Sequence, residues 1–381
     1  MKFVRHKYSI EKFYGNLDKV IEQNKVTPRR IVMFGSGVPS VMAIYYLKIN
    51  GAPIEAVIDN SKSKQGTEFE NLRIYSPEEL LGKYDDTFLI LIASSYEDEM
   101  IEQIESMGYQ ASKHCVQLLL FKQAVEDYSF SSYNKSSQMS REMVREHQLR
   151  VLKRLKDICD EHHLRYWLCG GTLLGAIRHK GYIPWDDDID ILVEMKDLKT
   201  LAKILEDDPE FALASYVNLE DDFFDSCSYM YERNTLMDIN YFPMQISCGV
   251  NIDLFPLVGL PEGEKFKEYM TQITELERNS WRNMYDKKKL RIATTELLNF
   301  MSSYDYDKYE NCGYVLSRHR EDEYLPATYY NEIVEVEFEG EYYRAPKEWH
   351  KYLIAMFGEN YMELPPEKER VPHHNFRAYK E

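Results

Sequence analysis

One segment, residues 165–193, constrains the fold more than the rest of the chain. Its first five residues, 165–169, form a strand-like run that enters a Gly-Gly-Thr turn at 170–172. A helix-compatible stretch follows over 173–179, and a second strand-like run then continues over 189–193. Together with further strand-like runs later in the chain, this alternation predicts an α+β domain from about residue 164 onward.

The second strand-like run is preceded by aspartates and reads DDDIDILV over residues 186–193. Because side chains alternate along a strand, we predict that Asp186, Asp188 and Asp190 share one face and that Asp187 lies on the other. Three carboxylates on one face repel one another by about 1 kcal/mol per close pair even in water, which favours a bound Mg²⁺ or Mn²⁺. Such acidic runs are also commonly solvated turns. The isoleucines between these acids favour the metal site.

The glycine turn places backbone N–H groups at the start of a helix, where they can bind a phosphate group. Gly170, Gly171 and Thr172 are therefore candidates to bind a phosphate group. A Gly-Gly turn alone is weak support, since most serve as tight turns, and the nearby acidic run makes the interpretation more specific. Three cationic side chains between the two motifs are candidates for neutralising phosphate charge: Arg178, His179 and Lys180. The helix dipole alone also favours cations at a helix C-terminus, so both interpretations stay open.

A further acidic residue lies far from the others in sequence. Asp253 interrupts the apolar run Asn251–Pro256, where an unpaired buried carboxylate would be costly. One interpretation is a structural aspartate that caps a turn before Pro256. The other is a metal site that Asp253 shares with Asp188 and Asp190.

Composition excludes several classes of protein. The 381 residues carry 47 basic and 64 acidic side chains, a formal net charge of −17, so we expect no general binding to nucleic acid. The six cysteines form no C-x-x-C pair, which argues against a zinc knuckle or a disulfide framework. The chain shows no secretory signal and no apolar run of membrane-spanning length. We expect a cytoplasmic protein without an integral membrane segment, either free or peripheral at the inner face of the membrane.

The sequence divides into two predicted domains, 1–125 and 141–381, joined by a serine-rich linker over 126–140. In the first, three strand-like runs alternate with helix-compatible stretches, which predicts a small Rossmann-like parallel sheet. Gly35-Ser36-Gly37 partly matches a dinucleotide-binding turn, and Asp59 ends the next strand, where a ribose-binding acid would lie. With three strands evident, we favour a nucleotide or sugar site, or a surface for docking and homo-oligomerisation, over binding of NAD.

These motifs together resemble the LicD family, which is similar to the catalytic domains of fukutin and fukutin-related protein. The resemblance extends over residues 141–381. It rests on the string GGTLLGAIRHKGYIPWDDDIDI, on the Asn251–Pro256 run, and on a tail with FGENYM at 357–362 and His373-His374. It implies an α/β protein in which a Rossmann-like domain precedes an α+β catalytic domain of the nucleotidyltransferase-fold superfamily.

The resemblance also implies an activity. Members of the family move a phosphoalcohol, typically phosphocholine, from a CDP-alcohol such as CDP-choline to a hydroxyl of a cell-surface glycan or its precursor, and CMP is released. By analogy, Asp188 and Asp190 would be the pair that binds Mg²⁺ or Mn²⁺. Asp253 would bind metal or accept the acceptor's proton, and Asp186 would be a further ligand or a support for one.

The resemblance leaves the transferred alcohol and the reaction open. A choline headgroup would need an aromatic cage, and Trp167 and Trp185 lie near the motif in sequence. The same acids would serve a nucleotidyltransferase that releases pyrophosphate. A non-catalytic scaffold of a polysaccharide-assembly complex is another alternative, although the paired acids are all present.

Overall fold

The computed structural model is a mixed α/β protein, which confirms the predicted fold class. It describes residues 4–5, 7–94, 96–118, 137–215, 217–218, 227–239, 246–314, 324–372 and 376–380. The helices are α1 Lys7–Val26, α2 Val38–Ile49, α3 Pro77–Leu81, α4 Glu97–Ser106, α5 Ala111–His114, α6 Arg141–His162, α7 Gly170–His179, α8 Leu198–Glu206, α9 Gly263–Arg282, α10 Lys287–Ser302, α11 Thr328–Asn331 and α12 Trp349–Phe357. None of the helices in these ranges combines the length and apolar character that a bilayer crossing requires.

The strands fall into four sheets. They are β1 Val4–Arg5, β2 Arg30–Phe34, β3 Ala56–Ile58, β4 Glu68–Phe69, β5 Leu72–Tyr75, β6 Phe88–Ile92, β7 Cys115–Gln117, β8 Tyr166–Leu168, β9 Asp190–Glu194, β10 Phe211–Ala214, β11 Ser228–Glu232, β12 Thr235–Ile239, β13 Ile246–Cys248, β14 Asn251–Leu260, β15 Asn311–Gly313, β16 Leu325–Pro326, β17 Ile333–Phe338, β18 Glu341–Pro346 and β19 Phe376–Lys380. β17 and β18 form a separate antiparallel hairpin.

The N-terminal sheet has the strand order β4-β5-β3-β2-β6-β7, and its neighbours run parallel except for β4 and β5. The expectation of three strands is therefore wrong, because β5 and β7 extend the parallel sheet on either side. The central strands are buried and show continuous apolar runs, whereas the outer two contain half-buried or exposed residues and no such run. The chain reverses its direction of growth between β2 and β6, as in Rossmann-like sheets.

The sheet of the C-terminal region is organised around β14. Its first half pairs antiparallel with β11 and parallel with β9, and its last three residues pair with β15. β8 lies antiparallel to β9 on the side away from β14. The two predicted acid-bearing runs therefore become adjacent strands of one sheet.

In α6, apolar residues recur at three- and four-residue spacing from about residue 141 to 163, a pattern that predicts the helix seen in the structure. The Ser140 hydroxyl accepts a hydrogen bond from the Met143 N–H at 3.3 Å and so caps the first turn. The predicted apolar stripe is mostly buried, with Leu149 half-buried at its edge; its fully covered members are Leu152, Leu155 and Cys159. The helix ends at His163, whose φ of 55° turns the chain toward β8.

The two predicted domains are joined by more than the chain that connects them. β1, at the N-terminus, pairs with β13 in a four-stranded sheet of the C-terminal region, ordered β1-β13-β12-β19. Glu70, beside β4, accepts two hydrogen bonds from the Arg282 guanidinium at the end of α9, at 2.7 and 3.0 Å. The Glu70 side chain is only 5% exposed, so this ion pair lies within the contact between the two regions.

Candidate active site

The register between β9 and β14 brings two predicted site residues together. Asp253 is the residue of β14 whose Cα lies opposite that of Asp190, the first residue of β9. The Asp253 N–H donates to the Ile189 carbonyl oxygen at 2.8 Å, which extends this pairing by one residue beyond β9. Residues at matched positions of neighbouring strands project from the same face, so these two carboxylates belong to one surface of the sheet. Both are half-buried.

The three consecutive aspartates before β9 form a compact group. Carboxylate oxygens of Asp186, Asp187 and Asp188 lie within 4.8 Å of one another. Our prediction that Asp187 faces away from the other two is therefore wrong. The strand begins only at Asp190, so the alternation of side chains that we assumed does not extend back to residues 186–188. Asp187 is thus a candidate site residue that the strand pattern missed.

The glycine turn lies directly against two of the acids. A β-carbon at Gly171 would lie 2.7 Å from Asp186 Oδ2, and one at Gly170 would lie 2.8 Å from Asp190 Oδ2. Gly170 also has a φ of +51°, a conformation that side chains disfavour. The absence of side chains at these two positions therefore lets Asp186 and Asp190 approach the first turn of α7.

The electrostatics of the acidic group suit a divalent cation. Burial, followed by the nearby carboxylates of Asp188 and Asp187, raises the pKa of Asp186 to about 8. The raised pKa means that ionisation of Asp186 beside the neighbouring carboxylates is unfavourable. A bound cation would make that ionisation favourable. Carboxylate oxygens are the ligands that Mg²⁺ and Mn²⁺ prefer. Among the described residues, Asp186, Asp187 and Asp188 form the group whose carboxylate oxygens are close enough to share such an ion, and the predicted ligands Asp190 and Asp253 lie opposite each other on the two adjacent strands.

Two hydrogen bonds fix the start of α7 to its surroundings. The Thr172 hydroxyl accepts from the Asp190 N–H at 2.8 Å, and the Gly170 N–H donates to the Tyr352 hydroxyl at 3.0 Å. Thr172 and Tyr352 are both buried. These contacts hold the helix start against β9 and α12, so a positioning function is visible for Thr172 and Gly170. Their predicted contact with a donor phosphate stays a prediction.

The three predicted cationic residues lie at the other end of α7. Eight residues separate Gly170 from Arg178, which corresponds to about 12 Å along the helix axis. Arg178 Nη1 donates to the carbonyl oxygens of Tyr361 and Glu363 at 2.9 and 3.1 Å. Because the helix between them is fully formed, Arg178 lies at the opposite end of α7 from the glycine turn.

The neighbours of Arg178 are similarly engaged. Arg178 Nε donates to His179 Nε2 at 2.9 Å, and burial, with the adjacent guanidinium, lowers the pKa of His179. Lys180 is exposed and pairs with Glu337 at 2.8 Å. The interpretation that these side chains stabilise the helix C-terminus fits their contacts better than a phosphate-binding one.

The aromatic residues near the motif differ in accessibility. Trp167 is fully buried and packs against Tyr306 and Tyr330, so it cannot contribute to a choline cage. Trp185 is half-buried, and the Arg370 guanidinium carbon lies 5.6 Å from the centre of its ring. One face of Trp185 is thus already occupied by a cation. His373 and His374, part of the predicted family tail, lie outside the described residues.

The N-terminal domain places its own acid at its glycine turn. Asp59 Oδ2 accepts from the Ser36 hydroxyl at 2.6 Å, and Asp59 Oδ1 accepts from the Ser61 N–H at 2.8 Å. Lys64 lies 3.5 Å from the same carboxylate. Burial raises the pKa of Asp59, but these donors outweigh it and leave the pKa below its ordinary value. The acid expected to contact a ribose is therefore held by the turn itself.

Comparisons with known proteins agree with the geometry of the C-terminal site. The family described as LicD/FKTN/FKRP, nucleotidyltransferase domain, matches residues 163–284, a range that contains both acid-bearing strands and the glycine turn. The resemblance to the LicD family that the sequence predicted is therefore confirmed over residues 163–284. The tail motif lies outside the matched range. A second family, described as C2185-like, N-terminal, matches residues 27–115, which contain the N-terminal parallel sheet.

Several individual proteins are similar to this chain. The lipopolysaccharide cholinephosphotransferase LicD of Haemophilus influenzae is 27% identical over 254 residues, which cover 61% of this chain and 94% of that protein. The ribitol 5-phosphate transferase FKRP of Mus musculus is 33% identical over 94 residues, 23% of this chain and 18% of that protein. An uncharacterized Rickettsia prowazekii protein is 34% identical over 89 residues, 23% of this chain and 30% of that protein. The chain is accordingly a LicD-like phosphotransferase, as the sequence resemblance predicted.

Proposed function

We propose that this LicD-family protein is a metal-dependent transferase. It moves a phosphoalcohol, with phosphocholine as the first candidate, from a CDP-alcohol to a hydroxyl of a cell-surface glycan or glycan precursor, and it releases CMP. The two named transferases among its relatives act with choline phosphate and ribitol 5-phosphate, which have a phosphorylated alcohol in common. That shared chemistry supports transfer of a phosphorylated alcohol by this chain. The choice of choline as the alcohol is a more specific part of the proposal.

One observation carries the proposal. Asp190 and Asp253, from two distant segments, lie opposite each other on adjacent strands, and Asp190 and Asp186 of the neighbouring acidic group both approach the N-terminus of α7. A helix N-terminus attracts the phosphates of a donor, and a group of carboxylates attracts the cation that accompanies them. A diphosphate with its divalent cation is the ligand that such a pair of features would bind together.

The residues divide the work of the reaction as follows. Asp188 and Asp190, with Asp186 beside them, would hold the cation; the chemistry that a cation supplies there is neutralisation of charge on the donor diphosphate. The protein itself contributes mainly the alignment of donor and acceptor. The first turn of α7, held by Thr172 and Gly170, fixes the position of these acids.

Asp253 is the candidate for contact with the acceptor. It lies beside Asp190 across the two strands, and Cys227 Sγ donates to its Oδ2 at 3.8 Å. The acceptor oxygen forms a bond to the phosphorus that carries the alcohol, and the bond from that phosphorus to the bridging oxygen breaks. CMP leaves with the bridging oxygen. The hydroxyl proton passes to the carboxylate of Asp253 if this residue is the base, or to solvent water if Asp253 instead helps to hold the cation.

The proposal is tested by removing the acids one at a time. CMP release from CDP-choline, CDP-ethanolamine, CDP-glycerol and CDP-ribitol would be measured with and without Mg²⁺ for the wild type, Asp188→Asn and Asp190→Asn. We expect the rate of CMP release to fall by more than about 100-fold in each variant, because loss of a residue that only supports a metal ligand can already lower activity by that factor. Asp157→Asn, at an exposed position of α6, is the matched control and should retain activity. Unchanged CMP release by Asp188→Asn would refute the assignment.

A nucleotidyltransferase reaction is the second candidate, because the matching family is described as a nucleotidyltransferase domain. The same acids would serve it, and only the products differ. Phosphorus NMR of reactions supplied with CDP-choline or with CTP would separate the two, since transfer of the phosphoalcohol from CDP-choline gives CMP and transfer of the nucleotide from CTP gives pyrophosphate. Detection of pyrophosphate without CMP would replace our proposal with this one.

A further inference from the structure

The acid-bearing loop between α7 and β9, residues 181–189, is held by side chains of the preceding long helix α6. Arg145 Nη2 donates to the carbonyl oxygen of Asp186 at 2.6 Å and to those of Ile183 and Pro184 at 3.3 Å. Its guanidinium carbon also lies 4.5 Å from the centre of the Tyr182 ring. Arg145 therefore contacts the loop along its length, up to the first residue of the acidic group.

A second residue of the same helix face completes this support. Gln148 Nε2 donates to the carbonyl oxygen of Asp187 at 3.1 Å, and Gln148 Oε1 accepts from the Tyr182 hydroxyl at 3.0 Å. Gln148 is 1% exposed, so its amide has been removed from water and both of its ends are used by the loop. Arg145 and Gln148 are three residues apart, which places them on one side of the helix.

The chemistry of these contacts suits positioning. These hydrogen bonds go to the main-chain carbonyls of Asp186 and Asp187 and of the residues just before them, so they fix the backbone of the loop without engaging the carboxylates. A planar guanidinium can serve several acceptors and stack on a ring at the same time, which a lysine cannot do. In a group of mutually repelling carboxylates, the backbone must be fixed from outside the group, because the acids themselves push one another apart.

We propose that Arg145 and Gln148 are positioning residues that set the spacing of the metal-binding aspartates. The proposal rests on the proposed metal-dependent function. Neither residue belongs to the motifs on which the family resemblance rests, and neither needs to touch substrate or metal. Their effect is transmitted through the carbonyl groups of residues 183–187.

The test is direct binding of Mn²⁺, followed by electron paramagnetic resonance of the free ion, with the full chain. Arg145→Met keeps a long side chain but removes its donors, and we expect its Mn²⁺ dissociation constant to rise about tenfold. Arg145→Lys should fall between this variant and the wild type. The matched control is Arg154→Met, because Arg154 lies about two and a half turns further along α6 and pairs with Asp208 instead. The control should bind Mn²⁺ as the wild type does, even where it lowers the melting temperature equally.

A kinetic measurement adds a distinction that a merely structural effect would not produce. Excess Mn²⁺ should restore turnover in Arg145→Met, whereas it should not restore turnover in Asp188→Asn, which lacks a ligand. If Arg145→Met does not fold, Tyr182→Phe replaces it: the ring under Arg145 remains, the hydrogen bond to Gln148 is lost, and we expect about a threefold rise in the dissociation constant.

The outcomes separate this inference from the proposed function. Wild-type Mn²⁺ affinity in folded Arg145→Met, or an equal loss in Arg154→Met, would overturn the positioning role while leaving the transferase proposal intact. Mn²⁺ binding that depends on both Asp188 and Arg145 in a protein that releases no CMP would support the positioning role and refute the transferase. No Mn²⁺ binding by the wild type would overturn the positioning role.

Discussion

The two regions of the chain contain the same local construction with opposite electrostatics. In each, a buried strand enters a glycine turn and a helix, and an acid lies beside that turn: Asp59 next to Ser36, and Asp186 next to Gly171. The pKa of Asp59 is lowered although burial opposes this, since hydroxyl, N–H and ammonium donors surround it. The pKa of Asp186 is raised to about 8 by burial and by its acidic neighbours.

This difference indicates at which turn the protein itself compensates the charge of the acid and at which turn a ligand could do so. At the N-terminal turn, the Asp59 carboxylate accepts hydrogen bonds from Ser36, Ser61 and Lys64. At the C-terminal turn, carboxylates face one another. An arrangement of this kind is costly for folding, and the cation that we propose for this site would offset that cost.

The largest expected effect comes from filling the C-terminal turn. Gly171→Ala would place a β-carbon 2.7 Å from Asp186 Oδ2 and force the acid away from the helix, so we expect transfer activity to fall about 100-fold. Gly37→Ala is the matched change in the N-terminal turn, where φ is −94° and the nearest atom would be Pro39 Cδ at an ordinary 3.6 Å. It should leave transfer unchanged. Wild-type CMP release by Gly171→Ala would break the comparison.

A smaller effect is expected when Mg²⁺ is added to the protein without substrate. Relief of repulsion at the acidic group should raise the melting temperature by a few degrees, because binding at about 100 times the dissociation constant is worth about 2.7 kcal/mol. Differential scanning calorimetry measures this. The shift should vanish in Asp188→Asn and persist in Asp59→Asn, whose acid is already neutralised by the protein. A shift that persists in Asp188→Asn would place the cation elsewhere.

The smallest effect concerns Asp59 and depends on pH. Because its pKa is lowered in the folded protein, the carboxylate contributes stability at a pH above its ordinary pKa of about 3.8, and this contribution is lost as the pH falls through the lowered value. Asp59→Asn should therefore reduce the free energy of unfolding by about 1 kcal/mol at pH 7, and by less near pH 3. Urea unfolding at both pH values measures the difference. An equal loss at both would show that the charge of Asp59 is irrelevant.

Much of the fold was predictable because it is encoded in local pattern. Apolar residues recur every three or four positions in the helix over residues 141–162. They form runs in the strands that contain Asp190 and Asp253 and in the central strands of the N-terminal sheet. Strands β5 and β7 were missed because they lie outside the three buried strands and show no such run. Family membership was predictable because one long string of residues is specific.

The site was less predictable where residues that are close in sequence do not lie where a regular strand or a short turn would place them. Asp187 was assigned to the wrong side because the chain before Asp190 is irregular and does not alternate. Arg178 lies only eight residues from Gly170, yet a complete helix separates the two. Arg145 and Gln148 carry no signal in the sequence, since most of their hydrogen bonds go to main-chain carbonyls, which every residue possesses.

The pairing of β1 with β13 has a practical consequence for anyone who wishes to study the catalytic half alone. A fragment that begins at residue 141 would remove Val4–Arg5 and leave β13 as an uncovered edge, with its N–H and C=O groups open to other chains. It would also leave Arg282 without the carboxylate of Glu70. The serine-rich stretch is therefore a poor place to cut, and the two halves should be expressed as one polypeptide.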